Sequence, residues 1–136
     1  MAARYLIDTN ICIYISKRHP PEVLERFKHL QVGTVAMSLI TYGELRYGAE
    51  KSRYHEQALE KLAGLVELVP VLPMGPDVGQ HYGSVRNILA RSGTPIGAND
   101  LWIAAHALAE GLVLVSNNLK EFSRVEGLKT ENWVGG

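Results

Sequence analysis

The stretch NDLWIAAHALAEGLVLVSNN, from Asn99 to Asn118, decides the fold. Between Asn99 and Ala109 apolar residues occupy nearly the whole helical circumference, and Gly111 then supplies a residue that ends helices. Such a helix belongs to the interior and not to the surface. Leu112, Val113, Leu114 and Val115 follow as an unbroken apolar run, stopped by Ser116, Asn117 and Asn118. A run without alternation suits a strand buried on both faces, the condition of a parallel sheet covered by helices on either side.

The same strand-then-helix pattern recurs towards the N-terminus. Tyr5, Leu6 and Ile7 form an apolar run halted by Asp8, Thr9 and Asn10, residue types whose side chains cap helices, so a buried strand feeds a helix there. After Pro20 and Pro21, residues 22–30 place Val23, Leu24, Phe27 and Leu30 on one helical face. Thr34 to Met37 is β-branched and apolar enough for a second strand, and Ser38 or Thr41 opens a helix through Glu44 and Leu45. Tyr54 to Val66 is amphipathic. Leu68 to Leu72 reads as a weak strand that Pro70 pushes to a sheet edge, because proline has no N–H for the ladder. A helix runs from Pro76 to Gly93 with Val78, Tyr82, Val85 and Leu89 inward, and a short last strand is expected near Thr130. Right-handed strand-helix-strand units cover both faces of a sheet, so the expectation is a three-layer α/β/α sandwich with a mainly parallel sheet.

The 136 residues suffice for one domain spanning 1–136, and 46% apolar with 21% charged residues argues for a packed core over disorder. Formal charge is +0, so affinity for a polyanion must come from local basic patches. Cys12 is the one cysteine, which excludes an internal disulfide and a zinc-type Cys/His site. A reducing, cytoplasmic setting is expected, with neither secretion nor membrane spanning, since no long apolar segment occurs.

Ligands of open parallel sheets lie beyond the carboxyl ends of the strands. Asp8 directly follows the first strand, Asn118 closely follows the fourth, Asp100 opens the interior helix before it, and Glu44 lies in the helix after the second. All four can face one crevice. Taken singly each has another explanation: Asp8 can cap a helix, Asp100 can sit at a helix N-terminus, and Thr41 with Glu44 has the spacing of a capping box. Several carboxylates at one strand-end crevice repel unless a cation lies between them, and hard oxygen donors suit Mg²⁺, with Mn²⁺ as a substitute. Mg²⁺ so held favours phosphate-ester chemistry.

The motifs Leu6-Ile7-Asp8-Thr9-Asn10, Thr41-Tyr42-Gly43-Glu44-Leu45 with Tyr47-Gly48-Ala49, Asn99 to Ala107, and Val115-Ser116-Asn117-Asn118 with Glu121-Phe122 span essentially the whole chain. Together they resemble the PIN-domain ribonucleases, and among them the VapC toxins of bacterial toxin–antitoxin pairs. The resemblance implies that Asp8, Glu44 and Asp100 are the acidic metal-site residues and that Thr9 and Ser116 support them. Many members of that family carry a fourth acid where this chain has Asn118, so the resemblance implies a neutral ligand there and leaves a second metal in doubt. It implies RNA hydrolysis by a water that the metal activates, leaving 5′-phosphate and 3′-hydroxyl ends, with Asp8 and Asp100 on the metal and Glu44 orienting or deprotonating the water. It further implies a folded RNA substrate such as tRNA, inhibition by a small VapB antitoxin, contact with operator DNA only through that antitoxin, and a homodimer. The helix from Tyr42 to Tyr47 and the one through Tyr54 are the expected grip for the antitoxin.

Arg46, Lys51 and Arg53 follow Glu44, while Arg86 and Arg91 precede Asp100. Arg46, Arg86 and Arg91 are thus candidate contacts to an RNA backbone, although solvated helix faces explain them equally well. Cys12 reads as a buried apolar residue, His106 as a hydrogen-bonded core residue, and Trp102 and Trp133 as core. Two rival functions stay open on the residues alone. One is a phosphatase or phosphoacceptor with Asp8 as nucleophile, against which stands Asn10 where a second aspartate is wanted. The other is a catalytically weak module that acts through antitoxin binding, for which Asn118 is the best support.

Overall fold

The computed structural model describes residues 2–135. Their elements run β1 (Tyr5–Ile7), α1 (Thr9–Lys17), α2 (Pro21–Lys28), β2 (Val35–Ser38), α3 (Leu39–Glu50), α4 (His55–Leu68), β3 (Val71–Leu72), α5 (Pro76–Arg91), α6 (Ala98–Glu110), β4 (Val113–Val115), α7 (Leu119–Phe122) and β5 (Thr130–Glu131). The sheet has the order β3-β2-β1-β4-β5. Every neighbouring pair is parallel, which sharpens the expectation of a mainly parallel sheet.

Alternation along β1 separates two apolar cores. Tyr5 and Ile7 face one side, where Ile11 and Ile15 of α1, Val23 of α2, and Leu65 of α4 pack on Val35 and Met37. Leu6 faces the other, where Val85 and Leu89 of α5, Ile103, Ala104 and Ala107 of α6, and Phe122 of α7 pack on Leu114. The central strand is therefore covered on both faces, which is why its sequence and that of β4 are apolar without a break. Helix α6 is interior as its sequence implied, with Leu101, Ile103, Ala104, Ala105, His106 and Ala107 all buried. It ends at Gly111, whose φ of 68° is left-handed and whose N–H returns to the carbonyls of Ala107 and Leu108.

Three details depart from the sequence reading, and a fourth, the start of α3, falls on the first of the two residues it offered. Strand β2 is Val35–Ser38, because pairing of Val35 with Tyr5 sets its register. Helix α3 opens at Ser38, whose Oγ accepts the Ile40 N–H at 3.1 Å, so Thr41 and Glu44 do not form a capping box. Strand β3 shrinks to two edge residues that begin just after Pro70. Helix α7 was not anticipated, since four residues carry no readable periodicity.

Candidate active site

The chain builds β2 and β3 on one side of β1 and β4 and β5 on the other, so the connections leaving β1 and β4 diverge at their carboxyl ends. A crevice opens where connections diverge in this way. Here it has a volume of about 160 Å³ and is lined by Asp8, Thr9, Asn10, Glu44, Asp100 and Asn118. Residues from four separate parts of the sequence thus share one small polar recess.

Asp8 is 5% exposed and serves as the N-cap of α1, its Oδ1 accepting the Ile11 N–H at 3.0 Å. Capping and membership of the crevice are both true of this residue. Burial pushes its carboxyl above the ordinary range, and the Glu44 charge adds to that; hydrogen bonds from the Ser116 hydroxyl and the Ile11 amide oppose it. Ser116 Oγ also accepts the Asn118 N–H at 2.8 Å, so its own proton is free to donate to Asp8. Glu44 is held from α1: Thr9 Oγ1 donates to its Oε1 at 2.7 Å, and Thr41 Oγ1 lies 3.4 Å from the same hydroxyl.

Asp100, in the first turn of α6, hydrogen-bonds to Glu121 of α7. Burial, then the Glu121 bond and charge, then the charges of Asp8 and Glu44, raise its carboxyl to about 7. Glu121 is correspondingly lowered: it accepts from Asp100, from Asn118 Nδ2 at 2.9 Å and from the Gly97 N–H, and it feels the Arg124 charge. The two carboxyls share one proton, the usual outcome when like charges are forced together. Glu121 had no assigned role in the sequence reading. Its signal was the spacing Asn118-x-x-Glu121, which brings both side chains to one face of the short helix after β4.

Among the described residues no three acidic, cysteine or histidine side chains are already drawn in to hold a cation. Glu44 accepts from Thr9, and Asp100 hydrogen-bonds to Glu121. The donor set fits a hard divalent ion: oxygen donors led by the Asp8, Glu44 and Asp100 carboxylates, whose mutual repulsion such an ion relieves.

The remaining candidates lie elsewhere. Arg46 is paired with Glu50 at 2.7 Å, Arg86 donates to the Tyr82 hydroxyl at 2.9 Å, and Arg91 is exposed at the end of α5. None of the three lines the crevice. Cys12 is fully buried, and its thiol is held well above its ordinary value by burial and by the Asp8 charge, which removes it as a nucleophile. Trp133 is buried against Tyr5, whereas Trp102 is half-buried and stacks on Tyr82 with ring centres 3.8 Å apart.

An all-parallel α/β sandwich with acids gathered beyond the carboxyl ends of β1 and β4 defines a class, and comparison with known proteins gives the same class. The family model of the PIN domain matches residues 5–128. Ribonuclease VapC2 of Haemophilus influenzae strain Rd is 47% identical over 131 residues, covering 96% of this chain and 98% of that protein. The tRNA(fMet)-specific endonuclease VapC of Shigella flexneri is 45% identical over 130 residues, covering 96% and 98%. The crystal structure of DNA-bound VapBC from Salmonella typhimurium superposes with a TM-score of 0.90 at 42% identity, covering 96% of this chain and 98% of the matched one. The chain belongs to the PIN-domain family and, within it, to the VapC ribonucleases.

Proposed function

We propose that this chain is the toxin of a VapBC-type toxin–antitoxin pair and a Mg²⁺-dependent endoribonuclease that hydrolyses a phosphodiester of a folded RNA, with tRNA as the substrate class. The observation that carries the reading is the convergence of Asp8, Glu44 and Asp100 on one crevice, where burial and the neighbouring carboxylates hold the Asp100 carboxyl up to about 7. Asp8 and Asp100 are the residues that would hold the ion. When bound, Mg²⁺ supplies positive charge to the phosphodiester and makes water more acidic. Glu44, steadied by Thr9, orients the attacking water and takes its proton, while Ser116 fixes Asp8 and Asn118 fixes Glu121. In-line attack leaves a 5′-phosphate and a 3′-hydroxyl.

Support for tRNA comes from the name of the Shigella relative, and support for an antitoxin partner from the VapBC complexes that the fold matches. A groove of about 390 Å³ between α1, α3 and α4, lined by Ile13, Leu45 and Leu62 and reaching Thr9 and Glu44, is the proposed seat for a VapB-type segment. Tyr47 and Tyr54 stand exposed beside it at 67% and 63%. DNA would be reached only through that partner, and the toxin itself is proposed to form a homodimer. Against the weak-module alternative, which rests on Asn118, stands Glu121, a further carboxylate hydrogen-bonded to Asp100 beside the crevice.

The deciding experiment is Asp8→Asn. Asparagine caps a helix as well as aspartate does, so the fold should persist while Mg²⁺-dependent RNA cleavage falls to background. Full cleavage by the variant would overturn the assignment. Solution mass of the free protein and of its mixture with the cognate antitoxin tests the assembly: a monomer, or no complex, refutes that part.

A further inference from the structure

The buried polar side chains among the described residues are Asp8, Thr34, Ser38, Thr41, His106 and Ser116. Asp8, Thr41 and Ser116 belong to the crevice and its support. Ser38 and His106, both 0% exposed, bond to each other instead, Nδ1 to Oγ at 2.8 Å across 68 positions of sequence. Their places in the chain are informative. Ser38 is the last residue of β2 and the N-cap of α3, six residues before Glu44; His106 lies on α6, six residues after Asp100. At a helical rise of about 1.5 Å per residue, each carboxylate is roughly 9 Å along its helix from this one bond.

We propose that the Ser38–His106 hydrogen bond is a strut that sets the separation of Glu44 and Asp100, making Ser38 and His106 positioning residues for the ion and the attacking water. The inference rests on the function proposed above. Its physical basis is the surface of α6. Leu101 and Ile103 interlock with α5 and α7, but Ala104, Ala105 and Ala107 give the rest of the buried face little relief, so packing there resists a small axial shift of α6 only weakly. A buried hydrogen bond is directional and costly to break, so it defines where α6 stops. The partners are matched. Ser38 Oγ accepts the Ile40 N–H and therefore has its proton for Nδ1. Nδ1 can accept it because burial holds the ring neutral, against the opposing influence of Glu110, the Pro73 carbonyl and Asp77. Nε2 faces the Pro73 carbonyl without a hydrogen bond of good geometry, so the 2.8 Å bond to Ser38 is the better-formed of the ring's two polar contacts.

Three variants test this: His106→Leu, which removes the bond at similar volume and leaves the α3 cap in place; Ser38→Ala, which removes the bond together with the cap on Ile40; and His106→Asn, whose amide oxygen is one bond from Cγ, as Nδ1 is. In the metal-free protein, backbone amide shifts of residues 41–45 and 98–102 should move in the leucine and alanine variants and return towards the parent in the asparagine variant. Calorimetric Mg²⁺ affinity should fall about tenfold or more in the first two, the range seen for lost outer supports of metal ligands, with kcat lowered and KM for RNA little changed. Asparagine should recover most of both. The proposal is overturned if folded His106→Leu or Ser38→Ala keeps parental shifts and affinity, or if asparagine is as impaired as leucine, which would make the effect one of packing. Because the shifts require neither ion nor RNA, a parent without RNA cleavage would sink the ribonuclease reading while leaving the strut to be judged by itself.

Discussion

Asp100 and Glu121 show how a charge is prepared for a ligand by being made uncomfortable. Burial already raises Asp100; the hydrogen bond and charge of Glu121, with Asp8 and Glu44 nearby, raise it further, to about 7. Glu121→Gln removes both the hydrogen-bonded carboxylate and its charge. The Asp100 midpoint in a carbon-detected NMR titration should therefore drop towards the carboxylate range, and an unmoved midpoint would exclude the pairing. Asp8, Glu44 and Asp100 were legible as candidates because Asp8 follows a strand end, Asp100 begins a helix and Glu44 lies within the helix that follows the second strand. Glu121 was not, because an acid in a short connection resembles any solvated surface residue until the tertiary fold brings it against Asp100. Asp8 also shows that a cap and a site residue need not be alternatives: Oδ1 satisfies Ile11, and the same carboxylate lines the crevice.

Among the elements, α7 is the smallest that matters. It has four residues, and Phe122 anchors it at 1% exposure in the core beneath α6. A helix this short has no stability of its own, so its position depends on that anchor. Phe122→Ala should cost about 3–5 kcal/mol in denaturant unfolding, as for other buried phenylalanines, and should slow RNA cleavage in the protein that remains folded by releasing Glu121. A loss below about 1 kcal/mol would show that the core closes over the gap without consequence. The larger elements were legible from their periodicity: α6 and β4 by continuous apolar runs, α4 and α5 by amphipathic stripes. Boundaries were less so. The start of α3 turned on whether Ser38 or Thr41 caps it, and strand pairing, which keeps Ser38 extended, decided for Ser38.

For the whole molecule the crevice is a region where folding gathers charges of one sign. The Asp100 carboxyl lies at about 7 in the fold against an ordinary 3.8, so its stabilising share is complete below the lower value and is lost as pH rises through the higher. With chelator present, thermal unfolding should thus occur at lower temperature at pH 8 than at pH 6, and Mg²⁺ should raise it more at pH 8, where no proton competes with the ion. Asp100→Asn should remove this fall in stability between pH 6 and pH 8, leaving the opposite rise that the buried neutral His106 contributes, and should remove most of the gain from Mg²⁺; a variant that keeps both the fall and the gain would refute the linkage. The sequence by itself determined the layers and the order of strand and helix, because apolar periodicity is a local property of each segment and burial must satisfy it. It also determined which aspartates and glutamates stand near strand ends. Only the tertiary structure decided that Glu121 joins them, that Ser38 meets His106, and that Arg46, Arg86 and Arg91 stay outside the crevice. Those outcomes depend on distances between segments remote in the chain, which packing sets and no local pattern encodes.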